Sequence, residues 1–395
     1  MKRVTDQPPA EGVRQRNLAR LLRLVHVDGP LSRASLTELT GLNRSTIADL
    51  VAALAQRGLL EERAPDPSRR VGRPSPMVAA DSRVVAIAVN PEVDAIDIGA
   101  VGLDRGIRQR ERIEVDHLVT PSETAQIVAE RIVAWRQNEL DGCLIAGVGL
   151  AIPGLVRTAD GLVRDAPHLH WRDAPVRDLV ESEVGMPVAV GNDASLGALA
   201  EHLFGAARGI DDVVYLNGGA SGIGGGLIVG GIAVPGAGGY AGEFGQNRPG
   251  IASDADRRAR AGVLEDEVSR ARLLEVVGLH AADEPTLAAA LAASTTPEAA
   301  AEVDRQRRIL STALANAVNV LNPSVVVVGG FLATLAGHDL GGLKNLVAAQ
   351  AMPANAEDLD IRVAVLAEDR LLIGAAEIAF ASLLRDPMSE AAPPA

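Results

Sequence analysis

The sequence predicts an α/β chain in two parts: a small helical head closed by a basic hairpin, and a larger body of two lobes. Three observations lead there. Apolar residues fall at helical spacing over residues 14–58, whereas from Val84 to Leu103 they run as near-continuous buried strand. The length of 395 residues exceeds what one ordinary core accommodates. Charge divides where the pattern divides: residues 1–80 hold 13 Lys and Arg against 8 Asp and Glu, although the whole chain carries a net charge of −13. A basic head on an acidic body suits a protein whose head meets phosphate and whose body does not.

In the head, a disordered tail is expected over residues 1–13 and a folded domain over 14–80. Leu18, Leu21, Leu22 and Val25 share one face of a first helix, which Asp28-Gly29-Pro30 ends. Ser32 can cap a second helix carrying Leu36 and Leu39. Gly41 permits the positive φ of a sharp turn. Asn43 can cap a third helix that buries Ile47, Leu50, Val51 and Leu54, leaving Arg44, Ser45, Thr46 and Asp49 off the buried face. Strands are expected near Leu59–Glu62 and Pro76–Ala79, with Arg63, Arg69, Arg70 and Arg73 on the hairpin between them. Three helices, a tight turn and a basic, proline-stiffened hairpin describe a winged helix-turn-helix. In that arrangement the start of the third helix enters a DNA major groove and the wing reaches phosphate or minor groove. The predicted DNA contacts are Asn43, Arg44, Ser45, Thr46, Arg69, Arg70 and Arg73; a protein-interaction module is the alternative.

In the body, strands are expected at 84–89, 95–103, about 108–115, 145–152 and 188–190. Helices are expected over 122–138 and from about Ala194 to Leu203. Val213–Leu216 opens a glycine-rich hairpin, helices dominate 255–320, Val325–Val328 forms a strand, and a last helix covers roughly Leu371–Leu384. Three antiparallel strands followed by alternating helices and strands occur twice, which implies two lobes. The expected boundaries are 81–200 for the first lobe, completed by the helix at 371–385, 201–370 for the second, and a disordered tail at 386–395. No apolar run is long enough to span a bilayer, and Met1–Gly12 lacks the apolar stretch of a signal peptide, so a cytoplasmic protein is expected. Cys143 is the single cysteine, which excludes an internal disulfide and a cysteine-based zinc site.

Seven segments together carry a resemblance: Gly72-Arg73-Pro74, Ala151-Ile152-Pro153-Gly154, Ala166-Pro167 with Trp171, Gly191-Asn192-Asp193-Ala194, Ser221 to Gly226, Glu243-Phe244-Gly245, and Asn322-Pro323 through Gly330. In this order and spacing the chain resembles the ROK (repressor, open reading frame, kinase) family over nearly its full length. The resemblance implies a two-lobed, actin-like sugar-kinase body of the ribonuclease H-like ATPase type. It implies that Asp193 stands at the general-base position of the kinases. Asn192, Glu243, Gln246 and Glu265 stand where sugar hydroxyls are held. For Asn192 and Asp193 helix capping is the alternative, for Glu265 a solvated helix face. Gly222, Gly224 and Gly225 match a loop that meets nucleotide phosphate, or else serve a hairpin.

Two departures from the family pattern point away from catalysis. Its kinases open the body with Asp-x-Gly-Gly-Thr, where this chain has Asn90-Pro91-Glu92-Val93-Asp94. Proline removes an N–H donor, and Glu92 and Asp94 repel a polyphosphate. The family's zinc ligands, one histidine and three cysteines, correspond to Gln246, Asp256, Arg258 and Val263. Arginine and valine cannot ligate zinc. The expectation is therefore a DNA-binding regulator of carbohydrate-related genes, a repressor, with no catalytic residue, cofactor or metal. Its body would take a sugar or sugar derivative between the lobes. Its partners would be a double-stranded inverted-repeat operator and a second copy, as a dimer or tetramer, with no membrane. The alternatives are an active ATP-dependent sugar kinase with a regulatory head, and a regulator that answers to another partner.

Overall fold

The computed structural model describes residues 9–64, 76–219, 222–251, 253–259 and 262–389. Helix α1 (Pro9–Asp28) starts inside the expected tail. Proline is suited to a first helical position, where no N–H partner is needed, so the helix extends past Val13. It buries Leu18, Leu21, Leu22 and Val25. Strand β1 (Leu31–Ser32) leads into α2 (Arg33–Thr40), capped by Ser32 Oγ, which accepts from Ser35 N at 3.0 Å. Gly41 ends α2 in the left-handed region at φ 72°. Helix α3 (Arg44–Gln56) is capped by Asn43 Oδ1, accepting from Thr46 N at 2.8 Å, and buries Ile47, Leu50, Val51 and Leu54. Of the two leucines expected to pack from α2, Leu36 is buried and Leu39 is 49% exposed. Strands β2 (Leu60–Arg63) and β3 (Met77–Ala80) pair antiparallel, and β3 also pairs with β1, giving the order β1-β3-β2.

The first body sheet follows. Strands β4 (Val84–Pro91) and β5 (Ala95–Gly102) are buried throughout, while β6 (Ile107–Glu114) alternates and stands at the sheet edge. Helix α4 (Pro121–Arg136) starts with a Thr120–Glu123 capping box. Strand β7 (Leu144–Ile152) runs parallel to β4. A small sheet of β8 (Leu155–Arg157), β9 (Leu162–Ala166) and β10 (Trp171–Ala174) comes next, then α5 (Val176–Val184) and β11 (Val188–Asn192). The five-stranded order is β11-β7-β4-β5-β6.

The second half repeats this plan. Helix α6 (Asp193–Phe204) precedes β12 (Val213–Gly219), β13 (Gly222–Val229) and β14 (Ile232–Ala233). Then come α7 (Leu264–Glu267), α8 (Arg270–Val276), α9 (Glu284–Ala293) and the long α10 (Pro297–Leu321). Strand β15 (Val325–Gly330) is parallel to β12 and is followed by α11 (Phe331–His338), α12 (Leu340–Ala348) and α13 (Pro353–Ala356). Strand β16 (Asp360–Val363) and α14 (Arg370–Arg385) finish the chain. The order β14-β13-β12-β15-β16 is that of the first sheet in duplicate, as the sequence pattern predicts.

The chain divides into two compact units: Met1–Leu150 with Pro175–Val190 and Ala375–Ala395, and Ala151–Ala174 with Gly191–Gly374. The division nearest the expected lobe boundary at residue 200 falls after Val190. Residues 191–200 go with the second unit because α6 lies on β13 so closely that a Cβ on Gly226 would sit 2.5 Å from Ala198 Cβ. Residues 151–174 join it too, with Thr158 N donating to Gly238 O at 3.2 Å. The head falls within the first unit. His26 of α1 lies 2.6 Å from Leu103 O and 2.8 Å from Glu377 of α14, and Arg105 donates to Val27 O and Gly29 O. Residues 386–389, expected to be tail, form a turn against the head: Gln15 bonds Asp386, and Arg57 donates to Ser389 O at 2.7 Å.

Candidate functional site

Within the second unit, four of the five predicted polyol ligands sit at starts of short helices or of α6. Asn192 ends β11 and caps α6, its Oδ1 accepting from Ser195 N at 2.9 Å. Its Nδ2 donates to Gly154 O and to Asp193 Oδ1, both at 3.1 Å. The helix-capping alternative for Asn192 is therefore what the structure shows. Asp193 accepts from Ala194 N at 2.7 Å. Burial pushes its carboxyl up to about 6, against the opposing pull of the Ala194 N–H and the Arg370 guanidinium.

Glu243 stands just before the turn Phe244–Gln246. Burial raises its pKa, and the charges of Asp193 and Glu265 raise it further, so three carboxylates feel one another. Gln246 Nε2 donates to Glu265 Oε1 at 2.6 Å, and Glu265 Oε2 accepts from Ile223 N at 3.2 Å. Glycine is required at 222, where φ is 129° and a Cβ would lie 2.5 Å from Glu265 Oε2. A Cβ on Gly224 would meet Ala194 at 2.7 Å, so this part of the glycine run is explained by contacts within the protein. Asn192 thus bonds Asp193, Gln246 bonds Glu265, and Glu243 stands where the charges of both Asp193 and Glu265 act on it. Carboxylates accept from hydroxyls and amides both donate and accept, which is the equipment for a polyol. Sequence reasoning missed Arg370 and the Gly154 carbonyl. No local motif marks Arg370, which lies 177 positions beyond the carboxylate it acts on.

The turn from β4 to β5 in the first unit is closed on itself. Pro91 is buried in the ladder opposite Ile96, and Glu92 N donates to Ala95 O at 2.7 Å. Arg112 binds Glu92 at 2.6 Å and Asp94 at 3.0 Å. The positions matching the family's zinc ligands do not fit a metal: Arg258 N donates to the Glu267 carboxylate at 2.9 Å, and Val263 offers no donor atom.

In the head, Asn43, Arg44 and Ser45 are exposed and Thr46 is half-buried. Arg33 and Arg63 are tied to Glu62 and Glu61, whereas Arg44 has no ion pair among the described residues. Asn43 Oδ1 is committed to the cap and to the Ser45 hydroxyl, leaving its Nδ2 as the outward donor. Arg69, Arg70 and Arg73 lie outside the described residues. No helix among the described residues is long and apolar enough to cross a membrane.

The profile of the ROK family matches residues 87–382. A putative xylose repressor of Caldicellulosiruptor sp. (strain Rt8B.4) is 26% identical over an alignment of 411 positions, covering 95% of this chain and 98% of that one. A glucokinase of Halalkalibacterium halodurans is 31% identical over 270 positions, covering 63% of this chain and 80% of that one. Among solved structures, a ROK family transcriptional regulator described as a homologue of the E. coli MLC protein superposes with a TM-score of 0.73 at 21% identity. It covers 94% of this chain and 97% of that one.

Proposed function

We propose that this chain, which belongs to the ROK family, is a sugar-responsive, DNA-binding transcriptional repressor with a kinase-like body that does not catalyse. The observation that carries this reading is the head. Its capped α3 presents Arg44 and Ser45 outward, and its α1 is built into the same compact unit as the first body sheet. The likeness to the repressor covers 95% of the chain, head included, whereas the likeness to the glucokinase covers 63%. The effector is a sugar or sugar derivative held by Asn192, Asp193, Glu243, Gln246 and Glu265; the relative's name makes xylose the first candidate. Twofold dimers on an inverted repeat are the geometry that suits a helix-turn-helix head.

The kinase reading draws on Asp193, which keeps a carboxylate at the base position, and on the glucokinase likeness. The closed turn at Pro91 and Glu92 opposes it, because its N–H is committed and its charge repels phosphate. Selection of bound genomic fragments followed by gel shift against a sugar panel tests the proposal. Sugar-dependent release of a selected operator, with no ATP consumed, is the expected result. ATP-dependent sugar phosphorylation that Asp193→Ala abolishes would establish the enzyme instead.

A further inference from the structure

Arg305 is 2% exposed and lies on α10, in the second unit. Its guanidinium has five N–H donors, and all five are engaged. Nε and Nη2 form a bidentate pair with Glu302 at 2.8 and 2.7 Å. Nη1 donates to Asp256 O at 2.8 Å and to Glu267 Oε2 at 3.1 Å, and Nη2 donates to Glu267 O at 2.7 Å. Glu267 is fully buried, and its carboxylate also accepts from Arg258 N and Ala259 N, each at 2.9 Å. Gln306 extends the network, exchanging two bonds of 3.1 Å with the Ser269 backbone and donating to Glu302 at 2.8 Å. Burial works against a charged Glu302, yet the hydrogen bonds of Arg305 and Gln306 outweigh it and hold its pKa below the ordinary carboxylate value.

Arg305 thus holds the backbone of residues 256 and 267 directly, and through Glu267 and Gln306 the network takes in the backbone of 258, 259 and 269. Residues 256 and 258 are two of the positions where the family pattern expects zinc-binding cysteines. Between the anchored ends runs α7, four residues long and too short to hold its own shape. Glu265 sits on α7 two positions before Glu267 and is bonded to Gln246 and Ile223 N. A buried ion pair costs desolvation and adds little net stability, but it specifies geometry when every donor is satisfied.

We infer that Arg305 replaces a metal ion as the organising cation of residues 256–259 and 262–269, and so is a positioning residue for the effector site. It acts on Glu265 and Gln246 through Glu267, and its part in effector binding rests on the sugar-site reading above. The test uses full-length Arg305→Lys, Arg305→Met and the paired Arg305→Met/Glu302→Met, the last removing one of the two carboxylates that Arg305 neutralises, with thermal melts to confirm that each variant folds. Two readouts are taken. Hydrogen exchange at the amides of Arg258 and Ala259 needs no ligand, and it is expected to speed up in all three variants while β12 stays protected. Affinity for whichever sugar releases the wild type from DNA is expected to fall roughly tenfold or more, the worth of one charged hydrogen bond, with sugar-free operator affinity unchanged. Lysine, with three donors and no fork, is expected to restore only part of it. Wild-type exchange at 258 and 259 in the methionine variants would overturn the anchoring, as would metal in purified wild type whose removal by chelator frees those amides. If the wild type answers to no sugar, the sugar-site reading fails while the exchange experiment still decides the anchoring. If exchange rises but sugar affinity holds, the positioning role is overturned.

Discussion

At His26 both ring nitrogens face oxygen: Nδ1 the Leu103 carbonyl, Nε2 the Glu377 carboxylate. A neutral imidazole has one N–H, so only the imidazolium satisfies both. Burial and the nearby Arg105 charge oppose that form, but the hydrogen bond and charge of Glu377, with the Leu103 carbonyl, overcome them and raise the pKa above 6.5. A raised folded-state pKa contributes stability that is complete below the unfolded value and lost as pH rises through the folded one. Thermal melts across roughly pH 6 to 9 should therefore show falling stability, and His26→Gln should flatten that fall. An equal fall in the variant would assign it to other groups. The Asp193 carboxyl is raised too, but on the sugar-site reading its charge matters for binding, where the pH trend runs the other way. Its carboxyl sits at about 6, and a sugar hydroxyl donating to it favours the ionised form. Sugar affinity is expected to weaken as pH drops through that value, and Asp193→Asn to remove the dependence; calorimetry at several pH values measures both. A steeper acid loss in the asparagine variant would rule out this carboxyl as the titrating group.

On the proposed function, the element that carries the output is α3. Arg44 is exposed in its first turn, free of ion pairs among the described residues, and placed where a recognition helix meets base edges. Arg44→Ala is expected to weaken specific operator binding roughly tenfold or more while non-specific binding falls far less. Equal losses on both DNAs in a fluorescence anisotropy titration would reduce Arg44 to a phosphate contact. Helices of the head were legible because their signals are local: Ser32, Gly41 and Asn43 act within three or four residues of the groups they satisfy. The strands β8, β9 and β10 were not, since runs of three to five residues carry too little periodicity to read. The residues proposed for the sugar site were picked out through the resemblance, because they sit in short motifs. Arg305 was not. An arginine in a charged stretch of helix reads as a solvated face until Glu267, 38 positions away, is brought to it.

For the whole molecule, the proposed function requires that occupancy of the second unit alter the head in the first. The chain passes between the units after Leu150, Ala174, Val190 and Gly374, and the last passage lies inside α14. That helix begins at Arg370, whose charge acts on Asp193, and continues to Glu377, which holds His26. With ~1.5 Å rise per residue and a hydrogen bond at every step, α14 is one unbroken segment of chain shared by both units. If sugar weakens DNA binding through it, DNA must weaken sugar binding by the same factor. Ala375 and Ala376 lie at the passage, both buried. Replacing both with glycine costs the helix about 1 kcal/mol each and loosens it there. The expected outcome is operator affinity without sugar within about twofold of wild type, with the ratio of operator Kd values with and without sugar shrunk towards one. Anisotropy titrations at fixed sugar concentrations give that ratio directly. An undiminished ratio in the glycine variant, with melting confirming that it folds, would move the coupling to β7 or β11, the strands that contain two of the other passages.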